Sequence, residues 1–143
     1  MPPIILIGPP GAGKTSVGKA LAKKLTLKFL DSDKIVEEKS GKSISEIFIT
    51  DGEPAFRDME RSAVIDLLEN QDGVIALGGG SVMDLEVSKR LLSMVNVVFL
   101  DVSISNAAPR VGFNRDRPLL LGNPRQQWIA LMEKHRSTYE ELS

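Results

Sequence analysis

The sequence predicts an α/β fold of three layers, in which helices cover both faces of a mostly parallel sheet. Short apolar runs alternate along the chain with longer segments whose apolar residues have helical spacing. The runs are as uniformly apolar as strands that are buried on both faces. A glycine-rich loop follows the first run and leads into a helical segment. Residues 1–143 are expected to form a single domain.

The predicted elements follow from these periodicities. Strands are expected at Ile4–Ile7, Lys28–Leu30, Val74–Leu77 and Val95–Leu100. Helices are expected at Lys14–Lys24, Lys34–Ser40, after Ser43, and at Glu53–Asn70, Asp84–Leu92 and Gln126–Arg136. The first helix has Val17, Leu21 and Leu25 on one apolar stripe, and Gly41 is expected to end the second.

Capping residues mark the later helices. Ser43 and Glu46 have capping-box spacing before Ile44, and Asp84 is expected to cap the helix that ends at Leu92. Asp51-Gly52 predicts a turn before the long helix.

The composition is that of a globular protein and disfavours several functions. Apolar residues make up 42% of the chain, charged residues 26%, and the formal net charge is −1. Neither a nucleic-acid surface nor a membrane patch is expected at this charge. The absence of cysteine excludes disulfides and thiolate metal sites, and the apolar start is too short for a signal peptide. We expect a cytoplasmic protein that acts as a monomer.

The glycine-rich loop has the spacing of a phosphate-binding loop. Gly8-Pro9-Pro10-Gly11-Ala12-Gly13-Lys14-Thr15 matches G-x-x-x-x-G-K-[ST] between a predicted strand and a predicted helix. Its backbone amides, together with the helix N-terminus, would bind phosphate oxygens. Lys14 would reach the β- and γ-phosphates, and the Thr15 hydroxyl would bind Mg²⁺.

Two aspartates follow the second predicted strand, at the sheet edge where open α/β proteins bind ligands. In a kinase, one of Asp31 and Asp33 can hold Mg²⁺ through water while the other accepts the proton of the attacking hydroxyl. The alternative is that Asp33 or Ser32 only caps the next helix. The local sequence leaves both open.

Arg57 lies between Glu53 and Glu60 at helical spacing, which is typical of a solvated ion pair. The alternative is a guanidinium that binds a carboxylate, for which the planar fork of arginine is suited.

Gly78-Gly79-Gly80 follows a buried strand, where three glycines cost more conformational entropy than a simple turn requires. Close approach of the backbone to a ligand explains them, and a loose connection is the alternative.

A polar stretch near the C-terminal end predicts a mobile lid at about residues 112–124. Arg117 in this lid could close over a phosphoryl group, or it could be a solvated loop charge. His135 is interpreted as a surface residue of the last helix.

In order and spacing these residues resemble the shikimate kinase family over the whole chain. The matching features are the phosphate-binding loop, Asp31-Ser32-Asp33, Ile47-Phe48, Gly52-Glu53, Phe56-Arg57, Gly78-Gly79-Gly80, Arg117-Pro118-Leu119-Leu120, and Arg136 with Tyr139. The resemblance implies a P-loop kinase fold like that of nucleoside monophosphate kinases, with strand order 2-3-1-4-5. It implies that ATP and Mg²⁺ are used to phosphorylate the 3-hydroxyl of shikimate, in the route to aromatic amino acids.

The resemblance also implies a role for each matching residue. Asp33 would act as the base, Arg57 and Arg136 would bind the shikimate carboxylate, and the backbone of Gly79 and Gly80 would complete a substrate region at about residues 31–61. Lys14 and Arg117 would neutralise the transferred phosphoryl group, Thr15 would bind Mg²⁺, and Asp31 would lie behind it through water. ATP would further be bound by Gly11, Ala12, Gly13 and Ser16, with Arg110 stacked on the adenine.

One departure from the family pattern concerns the C-terminal end. Family members usually continue for about a strand and a helix beyond the Arg136–Tyr139 region. The fifth strand is therefore expected to be missing, and the domain to be truncated. Val95–Leu100 would then be an apolar sheet edge.

Two other functions stay open. One is phosphorylation of a different small molecule, such as gluconate or a nucleoside monophosphate. The other is a non-catalytic module that binds a nucleotide or shikimate and has a regulatory role, since fold does not determine function.

Overall fold

The computed structural model describes residues 2–9, 12–101 and 124–143, without the side chains of 124, 125, 127, 128 and 131. Its strands are β1 (Ile4–Ile7), β2 (Phe29–Asp31), β3 (Val74–Ala76) and β4 (Val97–Phe99). Its helices are α1 (Lys14–Leu25), α2 (Ser32–Ser40), α3 (Ile44–Thr50), α4 (Glu53–Asn70), α5 (Leu85–Leu92) and α6 (Pro124–Leu142), with a 3₁₀ turn at Ser81–Met83. None of the helices described is long and apolar enough to cross a membrane.

The four strands form one parallel sheet in the order β2-β3-β1-β4. In the central strand, Leu6 lies opposite Ala76 on one side and Val98 on the other. The parallel sheet and the first four positions of the predicted strand order are therefore confirmed. The missing fifth strand and the truncated domain stay predictions.

Helices pack on both faces of the sheet, which confirms the three layers. On one face, Ile5, Ile7 and Ile75 pack against α4, α5 and α6 in the largest buried cluster. On the other face, Leu6 and Val74 pack against Ala22 of α1. Each such aliphatic side chain stabilises the fold by about 1.5–3 kcal/mol when it is fully buried.

The predicted apolar stripe on α1 is wrong in detail. Val17 and Leu25 are exposed at 44% and 43% of their surface, whereas Gly18 and Ala22 are buried. Small residues face the sheet because Phe29 of β2 and Leu6 of β1 already fill the space beneath the helix.

Helices α2, α3 and α4 form a separate cluster beside the end of β2. Val36, Ile47 and Phe56 are its buried centre, and the rings of Phe48 and Phe56 lie 4.9 Å apart. Ser43 caps α3 by accepting the N–H of Glu46 at 3.1 Å, as its spacing predicts. This cluster supports the segment that was assigned to substrate binding.

Candidate active site

The glycine-rich loop connects the carboxyl end of β1 to α1, which begins at Lys14. Gly13 precedes the helix with φ of 91°, a left-handed conformation that favours glycine. Lys14 Nζ donates to the carbonyl oxygens of Gly8 at 2.7 Å and Pro9 at 3.0 Å, so its ammonium group lies over the loop. The loop therefore combines a cation with the positive end of a helix, which suits phosphate.

Asp31 and Asp33 occupy the junction of β2 and α2. Asp31 Oδ1 accepts the N–H of Asp33 at 3.0 Å and so caps α2, which begins at Ser32 rather than at the predicted Lys34. The alternative that Asp33 or Ser32 is the cap is therefore wrong. Asp33 lies in the first turn and is buried. Asp31 thus caps the helix, and the Asp33 carboxylate lies beside the candidate active site.

Thr15 and Asp31 lie close together at the start of their two helices. The Thr15 hydroxyl donates to Asp31 Oδ2 at 3.4 Å. Burial and the neighbouring Asp33 carboxylate raise the pKa of Asp31 above its usual value. A cation at this point would relieve that repulsion.

Arg57 forms both of the ion pairs that its sequence neighbours predict. Its guanidinium lies 2.8 Å from Glu60 Oε1 and 3.8 Å from Glu53 Oε2. The interpretation as a solvated pair is wrong for Glu60, whose side chain is only 5% exposed, but it holds for Glu53, whose side chain is 49% exposed. The Arg57–Glu60 pair faces inward, toward the glycine turn.

The glycine turn after β3 is fixed by side chains from three other parts of the chain. Ser32 Oγ accepts the N–H of Gly78 at 2.9 Å, and Ser81 Oγ donates to the Gly78 carbonyl at 2.7 Å. The Tyr139 hydroxyl donates to the Gly79 carbonyl at 2.6 Å. The turn is therefore held rigidly, and the alternative of a loose connection is wrong.

Space, rather than backbone conformation, favours glycine at two positions of this turn. A Cβ atom on Gly78 would lie 2.6 Å from Asp33 Oδ1 and 2.9 Å from Glu60 Oε2. A Cβ atom on Gly80 would lie 2.6 Å from Arg57 Nη1. Such distances are well below van der Waals contact. The turn thus brings together Asp33, Glu60 and Arg57, which come from α2 and α4.

Helix α6 contributes Tyr139 and His135 to the same region. Tyr139 is fully buried and stacks on Phe99 of β4 with ring centres 5.1 Å apart. The His135 ring meets that of Tyr139 edge-on at 6.2 Å and is 6% exposed, so its assignment to the helix surface is wrong. No sequence pattern indicates this burial, because His135 is a single polar residue between the charged residues Lys134 and Arg136.

Arg136 points to a different partner. Its Nη1 and Nη2 donate to Asp101 Oδ2 and Oδ1 at 2.8 and 3.1 Å, and Glu140 lies 3.8 Å from Nη1. Binding of a substrate carboxylate by Arg136 stays a prediction, and would require this bidentate pair to open.

Several predicted residues cannot be placed. Gly11, Arg110, Arg117 and residues 112–123 of the predicted lid lie outside the described residues. Conversely, the predicted site residues do not include Ser32, Glu60 or Tyr139, which hold the turn and Arg57. The spacing of Glu60 from Arg57 was visible, but its burial was not.

The comparisons with known proteins agree with this arrangement. Residues 10–143 match the family model described as shikimate kinase. A shikimate kinase of Thermobifida fusca is 46% identical over 142 residues, which are 99% of this chain and 82% of that protein. One from Saccharopolyspora erythraea is 47% identical over 143 residues, at 99% and 81% coverage. The chain belongs to the shikimate kinase family.

Solved structures of shikimate kinases have the same fold. The enzyme from Acinetobacter baumannii in complex with shikimate is 36% identical with a TM-score of 0.96, over 100% of this chain and 80% of that one. The enzyme from Bacteroides thetaiotaomicron is 32% identical with a TM-score of 0.86, over 98% and 82%. A gluconokinase from Sinorhizobium meliloti is 19% identical with a TM-score of 0.53, over 92% and 74%, and this shows a shared fold alone. The family prediction is confirmed, and shikimate kinase is favoured over gluconate kinase and over a regulatory module.

Proposed function

We propose that this shikimate kinase transfers the γ-phosphoryl group of ATP to the 3-hydroxyl of shikimate through the residues described above. The observation that supports it is the convergence of Asp33 and the half-buried Arg57–Glu60 pair on the glycine turn. The turn follows β3, which neighbours the strand that carries the phosphate-binding loop. Acceptor and nucleotide would thus meet at one edge of the sheet.

Each group has a task that its surroundings suit. Asp33 is placed to accept the proton of the acceptor hydroxyl, because it is buried in the turn against Gly78. Arg57 is oriented by Glu60 and presents its remaining N–H groups to the shikimate carboxylate. Lys14 and Arg117 are assigned to the charge of the transferred group, and Arg110 to the adenine.

Mg²⁺ is the expected cofactor, and the residues present fit it. Mg²⁺ in kinases is held by one or two protein ligands together with phosphate oxygens and water. Thr15 and Asp31 would hold it, since their oxygens lie together and a cation would counter the repulsion between Asp31 and Asp33. When bound there, the ion would supply positive charge that offsets the charge of the phosphate groups. Among the described residues no group of three acidic or histidine side chains could hold a metal without such ligands.

A coupled assay of ATP turnover tests the proposal. We expect turnover with shikimate but not with gluconate or a nucleoside monophosphate. Asp33→Asn should lower kcat by at least about 100-fold, the contribution of a general base, with little change in ATP affinity. Lys14→Met should lower kcat by a similar factor, because charge stabilisation is lost in the transition state.

Two outcomes would contradict the proposal. Tight binding of shikimate and ATP without turnover would favour the regulatory module. Turnover of gluconate in preference to shikimate would favour the other kinase.

A further inference from the structure

The imidazole of His135 is a buried polar group that the proposed mechanism does not use. The residue is 6% exposed, and its Nδ1 has no hydrogen-bond partner in the described part of the chain. A buried polar atom without a partner is costly, and each such atom in a native structure calls for an explanation, such as a catalytic role or a bound ion or water.

Helix geometry places His135 on the face that looks toward the glycine turn. His135 and Tyr139 are four residues apart and so lie on the same side of α6. Tyr139 donates to the Gly79 carbonyl. The Arg57 guanidinium is near enough for its charge to act on both His135 and Tyr139.

Acidic side chains surround the Arg57 guanidinium, and they would stabilise a second cation beside it. Glu60 pairs with this guanidinium at 2.8 Å and Glu53 lies 3.8 Å away, while Asp33 adjoins Glu60 across Gly78. The Arg57 guanidinium is therefore already paired with carboxylates before a substrate carboxylate arrives. Repulsion between carboxylates has to be balanced before an anion binds tightly.

We propose that His135 binds the shikimate carboxylate together with Arg57, and takes up a proton as it does so. The inference rests on the proposed function, because it assigns a further ligand to the same substrate. Arg136, the adjacent residue, is paired with Asp101 and would not be needed for this contact.

The charged groups that face His135 determine the direction in which its pKa shifts. In the free protein, burial together with the charges of Lys134 on α6 and Arg57 on α4 lowers the pKa of His135 below 6.5. Glu60 of α4 acts on the neighbouring Tyr139, and Phe99 of β4, which stacks on Tyr139, is apolar. A bound carboxylate favours the protonated imidazole and raises the pKa. Between the two values, shikimate affinity falls by at most tenfold for each unit that the pH rises.

The test uses the fact that the chain contains a single histidine. Its imidazole signals in an NMR titration therefore report His135 without ambiguity. We expect a pKa below 6.5 for the free protein and a pKa at least about one unit higher when shikimate is saturating. Calorimetry in two buffers of different ionisation enthalpy should show proton uptake on binding near pH 7.

Three variants distinguish the effect of the His135 charge from the effect of its packing. His135→Gln keeps a polar side chain of similar size, and should abolish proton uptake and raise KM for shikimate about tenfold with a smaller change in kcat. His135→Arg supplies a permanent cation, and should keep the affinity but remove its pH dependence. Glu133→Gln, on the exposed side of α6, is the control and should change neither.

Either of two results would overturn the assignment: a His135 pKa that does not change on saturation with shikimate, or His135→Gln binding as tightly as wild type. If the wild-type chain binds no shikimate, the proposed function fails, and the assignment of His135 with it. If it binds and turns over shikimate without proton uptake, only the assignment of His135 fails.

Discussion

At the scale of single residues, the site depends on how closely the glycine turn approaches its charged neighbours. Gly78 adjoins Asp33, and Gly80 adjoins the Arg57 guanidinium. Under the proposed function, the two glycines therefore adjoin residues with different tasks, Asp33 in proton transfer and Arg57 in carboxylate binding. Comparing them separates the two roles.

Gly80→Ala and Gly78→Ala should have different kinetic effects. A methyl group on Gly80 would lie 2.6 Å from Arg57 Nη1 and would displace this side chain. The displacement should raise KM for shikimate. A methyl on Gly78 would displace Asp33 and should lower kcat, by up to about 100-fold for a shift near 1 Å. Steady-state kinetics on both variants, with urea unfolding to check that each is folded, distinguishes them. If both variants raised KM equally and left kcat unchanged, the assignment of different roles to the two glycines would be contradicted.

Tyr139→Phe should destabilise the protein because it removes the hydrogen-bond donor to the Gly79 carbonyl. The hydroxyl donates to the buried Gly79 carbonyl at 2.6 Å, whereas the stacking on Phe99 does not need it. Leaving that carbonyl without a partner should lower the free energy of unfolding by about 1–3 kcal/mol.

Ser81→Ala is the matched control for this change. It removes the donor to the Gly78 carbonyl, which keeps the backbone N–H of Ser81 at 3.0 Å. The loss should therefore be smaller, and urea unfolding measures both. A Tyr139→Phe protein as stable as wild type would show that the Gly79 carbonyl does not depend on this bond.

At the scale of elements, the junction of β2 and α2 combines a helix cap with the proposed Mg²⁺ site, and its stability should depend on pH. The pKa of Asp31 is raised above 3.8 in the folded state, so the folded protein keeps this proton to a higher pH than the unfolded chain does. The free energy of unfolding should therefore fall as the pH rises through the interval between the two values.

Asp31→Asn should thus raise the melting temperature at pH 7 while lowering activity. The amide oxygen still caps α2, and the repulsion with Asp33 is removed. The gain should vanish below about pH 3.8, where both states of the wild-type chain bind the proton. Thermal unfolding at several pH values measures this, and Asp72→Asn, at an exposed pair with Lys28, is the control. A variant less stable than wild type at pH 7 would contradict the argument.

The elements that the sequence predicts well are those with local causes. The caps at Ser43 and Asp84 depend on residues at most three positions away, and the β1–loop–α1 unit is encoded by one contiguous stretch. The features it missed depend on distant contacts. Ser32 meets Gly78 across 46 residues, and Arg136 meets Asp101 across 35. Burial of Glu60 and His135 likewise follows from packing between helices, which no local pattern encodes.

At the scale of the whole molecule, the candidate substrate site joins segments that are far apart in the chain. Arg57 comes from α4, the glycine turn follows β3, and Tyr139 and His135 come from α6. Helices α4 and α6 also contribute to the largest buried cluster of the described residues, together with β3, the strand that precedes the turn. A ligand that bridges them should stabilise the native state as a unit rather than one loop.

Shikimate should therefore raise the melting temperature of the whole domain. At a concentration 100 times its dissociation constant, a ligand that binds only the native state adds about 2.7 kcal/mol to the free energy of unfolding. For a domain of this size that corresponds to a rise of roughly 5–15 °C. Differential scanning calorimetry should show one transition that moves as a whole, because the bridged elements share one core.

Gluconate is the matched control ligand, since it is also a small hydroxylated acid, and it should give little shift at the same concentration. Arg57→Ala should lose most of the shift with shikimate, because the substrate carboxylate would lack its principal cation. A full shift in Arg57→Ala would place the carboxylate elsewhere and remove the reason for Glu60 to orient this side chain. Equal shifts with gluconate and shikimate would mean that the pocket binds an acid without selecting its ring.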